Sequence, residues 1–262
     1  MWNNPKPFSL FLIVSFLIAS MCSCNADDTG GKHVTQPDTA NVVSTAKTVL
    51  IYMAAQNSLG ARRNQQADSL EIMQAYKDIP GDSRILLFID DKYAPRIYRI
   101  DKTTPRPVMV KRWQNDEDSA SPAFFGELLS FIKRFYPSDE YGMVLWSHAT
   151  GWVPPSLALT RNAKQRHAKP LSFGIDDGED FGSDNGSEME IRDMAVVMKK
   201  ADFHARYIFF DACLMQNIEV VYELRHAADY IVGAPISTPG AGANYTNQIR
   251  KGLFDDDVRN IA

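Results

Sequence analysis

Cysteine is scarce in this chain: three occur in 262 residues, and Cys22 and Cys24 lie in the leader, which leaves Cys213 as the only thiol of the folded part. That part therefore has no disulfide framework. A lone cysteine is by default a small buried hydrophobe, so its place in the chain has to argue for more. Dense clusters of one charge are also missing: 28 Lys and Arg against 32 Asp and Glu give a net charge of -4, with no concentrated basic patch. Nucleic acid is excluded as a partner on that ground. Apolar runs long enough for a comfortable membrane span are absent too, since the one at Phe8–Met21 is short and comes after Lys6, which is the pattern of a signal-peptide core.

At the end of that core, Met21-Cys22-Ser23-Cys24 has the form of a bacterial lipoprotein cleavage box, with Cys24 as the lipidated residue and Cys22 as the alternative. Acyl chains on Cys24 hold a protein on a membrane by insertion into lipid. Asn25-Ala26-Asp27-Asp28 resembles an acidic surface-export tag, so the expected location is the outer membrane or cell surface of a bacterium. A plain secreted protein cut before Asn25 is the competing reading. The expected organisation is a lipoprotein signal peptide over 1–24, a flexible tether over 25–46 with Gly30-Gly31 and Pro37, and one folded domain over 47–262. With 45% hydrophobic residues the chain can bury a core.

Within it, Thr48–Ala54 (TVLIYMA), Arg84–Asp90 (RILLFID), Val144–His148 and Tyr207–Cys213 read as buried strands, and Tyr230–Ala234 as a further one. Helices are expected through Ala67–Met73, over Pro122–Tyr136, over Glu190–Ala201 and from Met215 to Ala228, with a hairpin over Arg96–Ile100 and Pro107–Trp113. Strands alternating with helices predict an α/β domain, a mostly parallel sheet covered on both faces. The basic run between Arg161 and Lys169 reads as an exposed loop.

Two of these strands end in reactive side chains, His148 and Cys213, at the carboxyl edge where parallel sheets do chemistry. A thiol attacks carbonyls as thiolate, so an imidazole within reach makes the pair a nucleophile and its base. Cys213 would open the turn into a helix, and its backbone N–H, with that of Ala149, would face the developing oxyanion. For His148 the competing reading is a packed strand-end histidine. Asp211 stands two residues before Cys213, so on an extended strand both point to one face. A carboxylate there suits a cationic substrate side chain, orientation of the histidine, or a capping role.

Taken together, Tyr52-Met53-Ala54-Ala55, Trp146-Ser147-His148 with Gly151-Trp152, Ile175-Asp176-Asp177-Gly178, and Phe210-Asp211-Ala212-Cys213-Leu214-Met215 with Ile218-Glu219 resemble the clostripain family of cysteine peptidases, relatives of caspases, gingipains and legumain. The resemblance implies a caspase-like three-layer α/β sandwich, a His148/Cys213 dyad that needs no cofactor, and protein or peptide substrates cut after Arg or Lys, with Asp211 at the pocket base. It further implies activation by cleavage, often self-cleavage, between histidine and cysteine, for which Arg161, Lys164, Arg166 and Lys169 are the candidates; as plain charged loop they are only solvated surface. Some relatives use calcium, and the acidic stretch holding Asp176 and Asp177 has the right residue type, though not the spacing of an EF-hand; a solvated loop is the alternative.

Three departures stand out. Ala149 replaces the family's glycine after the histidine, which would strain an oxyanion turn of positive φ. The segment Pro235–Gly242 lacks an acidic residue, leaving Thr238 as a candidate pocket-lining residue. The chain also stops at Ala262, so the family's carboxyl-terminal part is expected to be missing. Two other functions stay open: a catalytically impaired binding or decoy homologue of the same fold, and a small-molecule amidase using the same dyad.

Overall fold

The structure is a computed structural model that describes residues 43–151, 172–178 and 181–261. Cys24 and the candidates Arg161, Lys164, Arg166 and Lys169 lie outside the described residues. Seven strands form one sheet in the order β4-β3-β2-β1-β5-β8-β9. They are β1 (Thr45–Ala54), β2 (Ser83–Asp90), β3 (Arg96–Asp101), β4 (Val108–Arg112), β5 (Ser138–Trp146), β8 (Ala205–Asp211) and β9 (Ala228–Val232). β2, β1, β5, β8 and β9 run parallel, and the β3–β4 hairpin continues the sheet antiparallel from β2. A separate two-stranded antiparallel ribbon, β6 (Ser172–Asp176) with β7 (Ser187–Glu190), stands beside it.

The central strands are apolar at nearly every position because both faces are covered. Successive side chains alternate between the two faces. Leu50, Tyr52 and Ala54 of β1 join Met143 and Leu145 of β5 and Ile208 and Phe210 of β8 in one core cluster. Over it lie α3 (Pro122–Phe135) and α4 (Ile191–Lys200), through Phe125, Leu128, Leu129, Met194 and Met198, and α5 (Ile218–Leu224), through Val220 and Leu224. The opposite cluster takes Val49, Ile51 and Met53 with Val144, Trp146, Tyr207 and Phe209. Its cover is α2 (Asn64–Gln74), the 3-10 turn after it (Ala75–Asp78), α6 (Tyr245–Lys251) and the segment beyond α6. The result is the expected three-layer sandwich.

The helix starts reflect local chemistry. Ser121 caps α3 by accepting the Ala123 N–H, and Pro122 fills the first turn where no amide partner is needed. Asn57 caps the short α1 (Ser58–Ala61), accepting from Leu59 and Gly60.

Two expectations about local structure are corrected. The helix after Cys213 does not begin near Met215: α5 starts at Ile218 with Asn217 as its cap. Leu214 holds φ 64°, which breaks any helical run between the cysteine and Asn217. Ala149 carries no positive φ; it pairs as an antiparallel bridge with Phe173, and the left-handed residue of that turn is Gly151 at φ 53°. The strain anticipated at Ala149 is therefore absent, because the turn places its unusual conformation on a residue that has no Cβ.

Candidate active site

The sheet register brings the two reactive residues to one level. β5 pairs in parallel with β8, Trp146 opposite Asp211, and His148 and Cys213 each come two residues later. Two residues on means the same face, so both extend the side of Trp146 and Tyr207, toward α2 and α6. Together with Trp146, Asp211, Thr238 and Arg62 they line a cavity of about 140 Å³. A larger hollow of about 680 Å³ lies between α4 and α5, lined by Arg192, Lys199, Glu223 and Arg225 among others. It holds no nucleophile, so the smaller cavity is the candidate site.

His148 is held at one ring nitrogen. Its Nε2 lies 3.1 Å from Asp184 Oδ1 and 3.0 Å from Ser58 Oγ. The Ser58 backbone N–H also donates to Asp184 Oδ1 at 3.0 Å. These donors and the imidazole hold the Asp184 carboxyl far below the ordinary carboxylate range although burial opposes this. Behind Ser58 stands Asn57, fully buried, whose Nδ2 donates to the carbonyls of Ala54 and Ile175, both at 2.9 Å. Asn57 thus ties the end of β1 to β6 and fixes where α1 begins. Ser147 adds a second tie, its Oγ donating to Ala54 O at 2.7 Å and accepting from the Ile175 N–H.

Cys213 is half-buried, and its sulfur accepts the Thr238 N–H at 3.3 Å. The segment after β9 lies along the nucleophile turn: Leu214 N–H donates to Ile236 O, Gln216 N–H to Ala234 O, and Thr238 Oγ to Ala212 O. Thr238 thus stands in the cavity, with its hydroxyl committed to Ala212 and its amide to the sulfur. On the histidine side, Gly174 N–H donates to His148 O and Thr150 N–H to Ser172 O. That pairing turns the Ala149 N–H away from β6. Among the described residues neither Ala149 nor Cys213 directs its amide to an internal acceptor.

Asp211 lies below the sulfur and is 7% exposed. Its Oδ2 accepts the Tyr245 hydroxyl at 3.0 Å and the Ala243 N–H at 3.1 Å. Burial raises its pKa against these two donors. Asp68 of α2 shares the neighbourhood, accepting the Trp146 indole N–H at 2.7 Å. Its pKa is pushed up to about 7 by burial, with further contributions from Asp211 and Glu71. Glu71 in turn accepts the Tyr245 N–H at 2.9 Å. Among the described residues no basic group forms an ion pair with Asp68 or Asp211.

The calcium candidates Asp176 and Asp177 accept internal hydrogen bonds. Asp176 Oδ2 accepts from the amide and hydroxyl of Ser119, its Oδ1 takes the Gly178 N–H, and Asp177 Oδ1 takes the Asn185 N–H. Among the described residues no group of three or more His, Cys, Asp or Glu could hold a metal ion.

The sequence profile described as the clostripain family matches residues 51–260. The chain belongs to the clostripain family. No curated protein matches it. Among solved structures it is similar to a secreted C11 cysteine protease from Bacteroides thetaiotaomicron in complex with an irreversible peptide inhibitor, at 29% identity and a TM-score of 0.69 over 82% of this chain. It is likewise similar to an inactive zymogen C11 protease from Parabacteroides distasonis, at 28% identity and a TM-score of 0.66 over 84% of this chain. The chain spans 56% and 57% of the length of those two proteins. A third C11 protease from B. thetaiotaomicron, "iotapain", at 23% identity and a TM-score of 0.67 over 84% of this chain and 61% of its own, shows the same fold.

The sequence singled out His148, Cys213, Asp211 and Thr238, and all four line the clostripain-family cavity. It did not single out Asn57, Ser58, Asp68, Asp184 or Tyr245. Gln56-Asn57 read only as a polar turn, and Asp184 only as one acid among several.

Proposed function

We propose that this clostripain-family chain is a cysteine endopeptidase that cleaves after Arg or Lys. The observation that supports the reading is the β5–β8 register, which ends at Trp146 opposite Asp211, each two residues before His148 and Cys213, both of which line one cavity. In this reading the thiol proton passes to His148, and the sulfur forms a bond to the scissile carbonyl carbon. The electron pair displaced onto oxygen meets the two uncommitted amides of Ala149 and Cys213. Collapse breaks the C–N bond, His148 returns the proton to the departing amine, and water releases the acyl group from sulfur.

Buried carboxyls at Asp211 and Asp68 support the basic specificity. Burial disfavours each as an anion, and among the described residues no basic group forms an ion pair with either, so an entering guanidinium or ammonium would be stabilised by them. In the same reading the chain is exported, anchored through lipid on Cys24, and processed at Arg161, Lys164, Arg166 or Lys169. The test uses the full chain with fluorogenic peptides carrying Arg, Lys or Ala before the scissile bond. Turnover of the Arg and Lys peptides should exceed that of Ala at least 100-fold and fall about 10³-fold or more in Cys213→Ala and His148→Ala. Absence of turnover, with Cys213 inert to iodoacetamide, would replace this reading by that of a binding homologue. Intact mass of the wild type beside Cys213→Ala reports self-processing.

A further inference from the structure

We propose that Asp184 and Ser58 are positioning residues for His148, completing a Cys–His–Asp relay in which Nε2 is fixed by Asp184 and Nδ1 is left to exchange the proton with Cys213. The inference rests on the dyad reading above and extends it to residues outside the segments that carry the family resemblance. An imidazole has two nitrogens, and the bond made by one sets the tautomer and hence the role of the other. Here Nε2 has a carboxylate oxygen at 3.1 Å and a hydroxyl at 3.0 Å, so only Nδ1 remains to receive a proton. When the proton leaves sulfur for Nδ1, the electron pair stays on sulfur and the Nε2–H stays on Asp184. The imidazolium then faces a carboxylate that remains ionised.

Asp184 is itself built in. Its carboxylate accepts the Ser58 N–H, and Ser58 comes directly after Asn57, which is locked between β1 and β6. Both members of the ion pair are largely buried, His148 at 11% and Asp184 at 18% side-chain exposure, so water screens the contact less than at an open surface. Among the described residues the other ionisable groups lining the cavity are Arg62 beyond α1, and Asp211 and Cys213 at the end of β8. Asp177 at the end of β6 acts on Asp184. None of these reaches His148 within ion-pair distance, whereas Asp184 does.

The experiment is the pH dependence of iodoacetamide alkylation of Cys213 in the full chain, which needs no substrate. Under the proposal an imidazolium held by Asp184 favours the thiolate over the thiol. Asp184→Asn should move the midpoint of that profile up by about one pH unit or more, Asp184→Glu should restore at least half, and Ser58→Ala should move it by less. Under the proposal kcat/KM on the best peptide falls about 10²-fold in Asp184→Asn. A merely structural Asp184 would lower stability and leave the midpoint in place. Coincident midpoints for wild type and Asp184→Asn overturn the proposal, as do coincident midpoints for wild type, Ser58→Ala and Asp184→Glu if the Asn variant does not fold. The dyad fails separately if His148→Ala leaves the midpoint unmoved.

Discussion

Gly151 is where the histidine turn touches the nucleophile turn, and Gly151→Ala tests that contact. The residue holds φ 53°, and a Cβ built there would lie 2.2 Å from Leu214 O and 2.8 Å from Leu214 Cβ. Alanine in this left-handed conformation costs about 1–2 kcal/mol. The overlap adds a second cost, because the obstacle is a backbone carbonyl that cannot rotate away. That carbonyl is held by Asn217 Nδ2 at 2.6 Å and belongs to a residue already at φ 64°. Ordinary carbon contacts begin near 3.5 Å, so one turn must retreat by about 1 Å. Overpacking of this size costs about 1–3 kcal/mol, and a reacting group displaced by about 1 Å loses about 10²-fold in rate. Gly178→Ala is the control, since Gly178 holds φ 56° with open space around its Cβ position and meets the first cost alone. Thermal melting and kcat/KM are measured on both. Gly151→Ala should melt at least 5 °C below the wild type and below Gly178→Ala, with activity down about 10²-fold. If Gly151→Ala and Gly178→Ala match in melting and both keep wild-type activity, the two turns do not bear on each other and the reasoning fails.

Asp68→Asn should change how stability depends on pH. The folded-state pKa of Asp68 is raised, so the folded state binds its proton more tightly, and that stabilisation is lost as pH rises from about 4 through about 7. At about 1.4 kcal/mol per pKa unit the interval sets a ceiling near 4 kcal/mol, which relaxation of the surroundings around a buried charge reduces to about 1–2 kcal/mol. The variant should therefore match the wild type near pH 4 and exceed it by about that amount at pH 8 in denaturant titrations; parallel curves at both pH values would show that the group does not titrate between them. Tyr245→Phe removes one of two donors to the buried Asp211 and should destabilise the fold by about 1–3 kcal/mol in urea unfolding. An unchanged midpoint would mean that the hydroxyl carries no weight there.

How far the site was legible depends on where its determinants lie along the chain. β1, β2, β5 and β8 announce themselves as apolar runs because they are covered on both faces, and α3 by its cap, its proline and six buried apolar side chains. The parity of Asp211 and Cys213 was legible for the same reason. The β6–β7 ribbon was not: Phe173, Ile175 and Met189 are its buried apolar residues, set among glycine, serine and acids that read as loop. The helix read from Met215 is a propensity reading that tertiary contacts override, since Leu214 and Gln216 give their amides to the segment after β9. Asp184 carries no local signal at all. Its meaning comes from Ser58 and His148, 126 and 36 positions earlier, which only the folded sheet brings near.

The two reactive groups are held by different means, and this bears on how the site works. His148 is positioned through side chains, Asp184 and Ser58, resting on the buried Asn57. Cys213 is positioned through backbone: the Thr238 amide on its sulfur and a left-handed Leu214 immediately after it. A leucine at φ 64° is unfavourable by about 1–3 kcal/mol and persists only where its surroundings over-determine it. The amides of Leu214 and Gln216, both bonded to the segment after β9, and the Asn217 side chain on the Leu214 carbonyl supply that determination. An ordinary right-handed residue there would redirect the chain that follows and take the Gln216 amide and the Leu214 carbonyl away from their partners. The strain is thus the cost of following β8 with a turn rather than a helix, and it falls on the residue whose carbonyl Gly151 approaches.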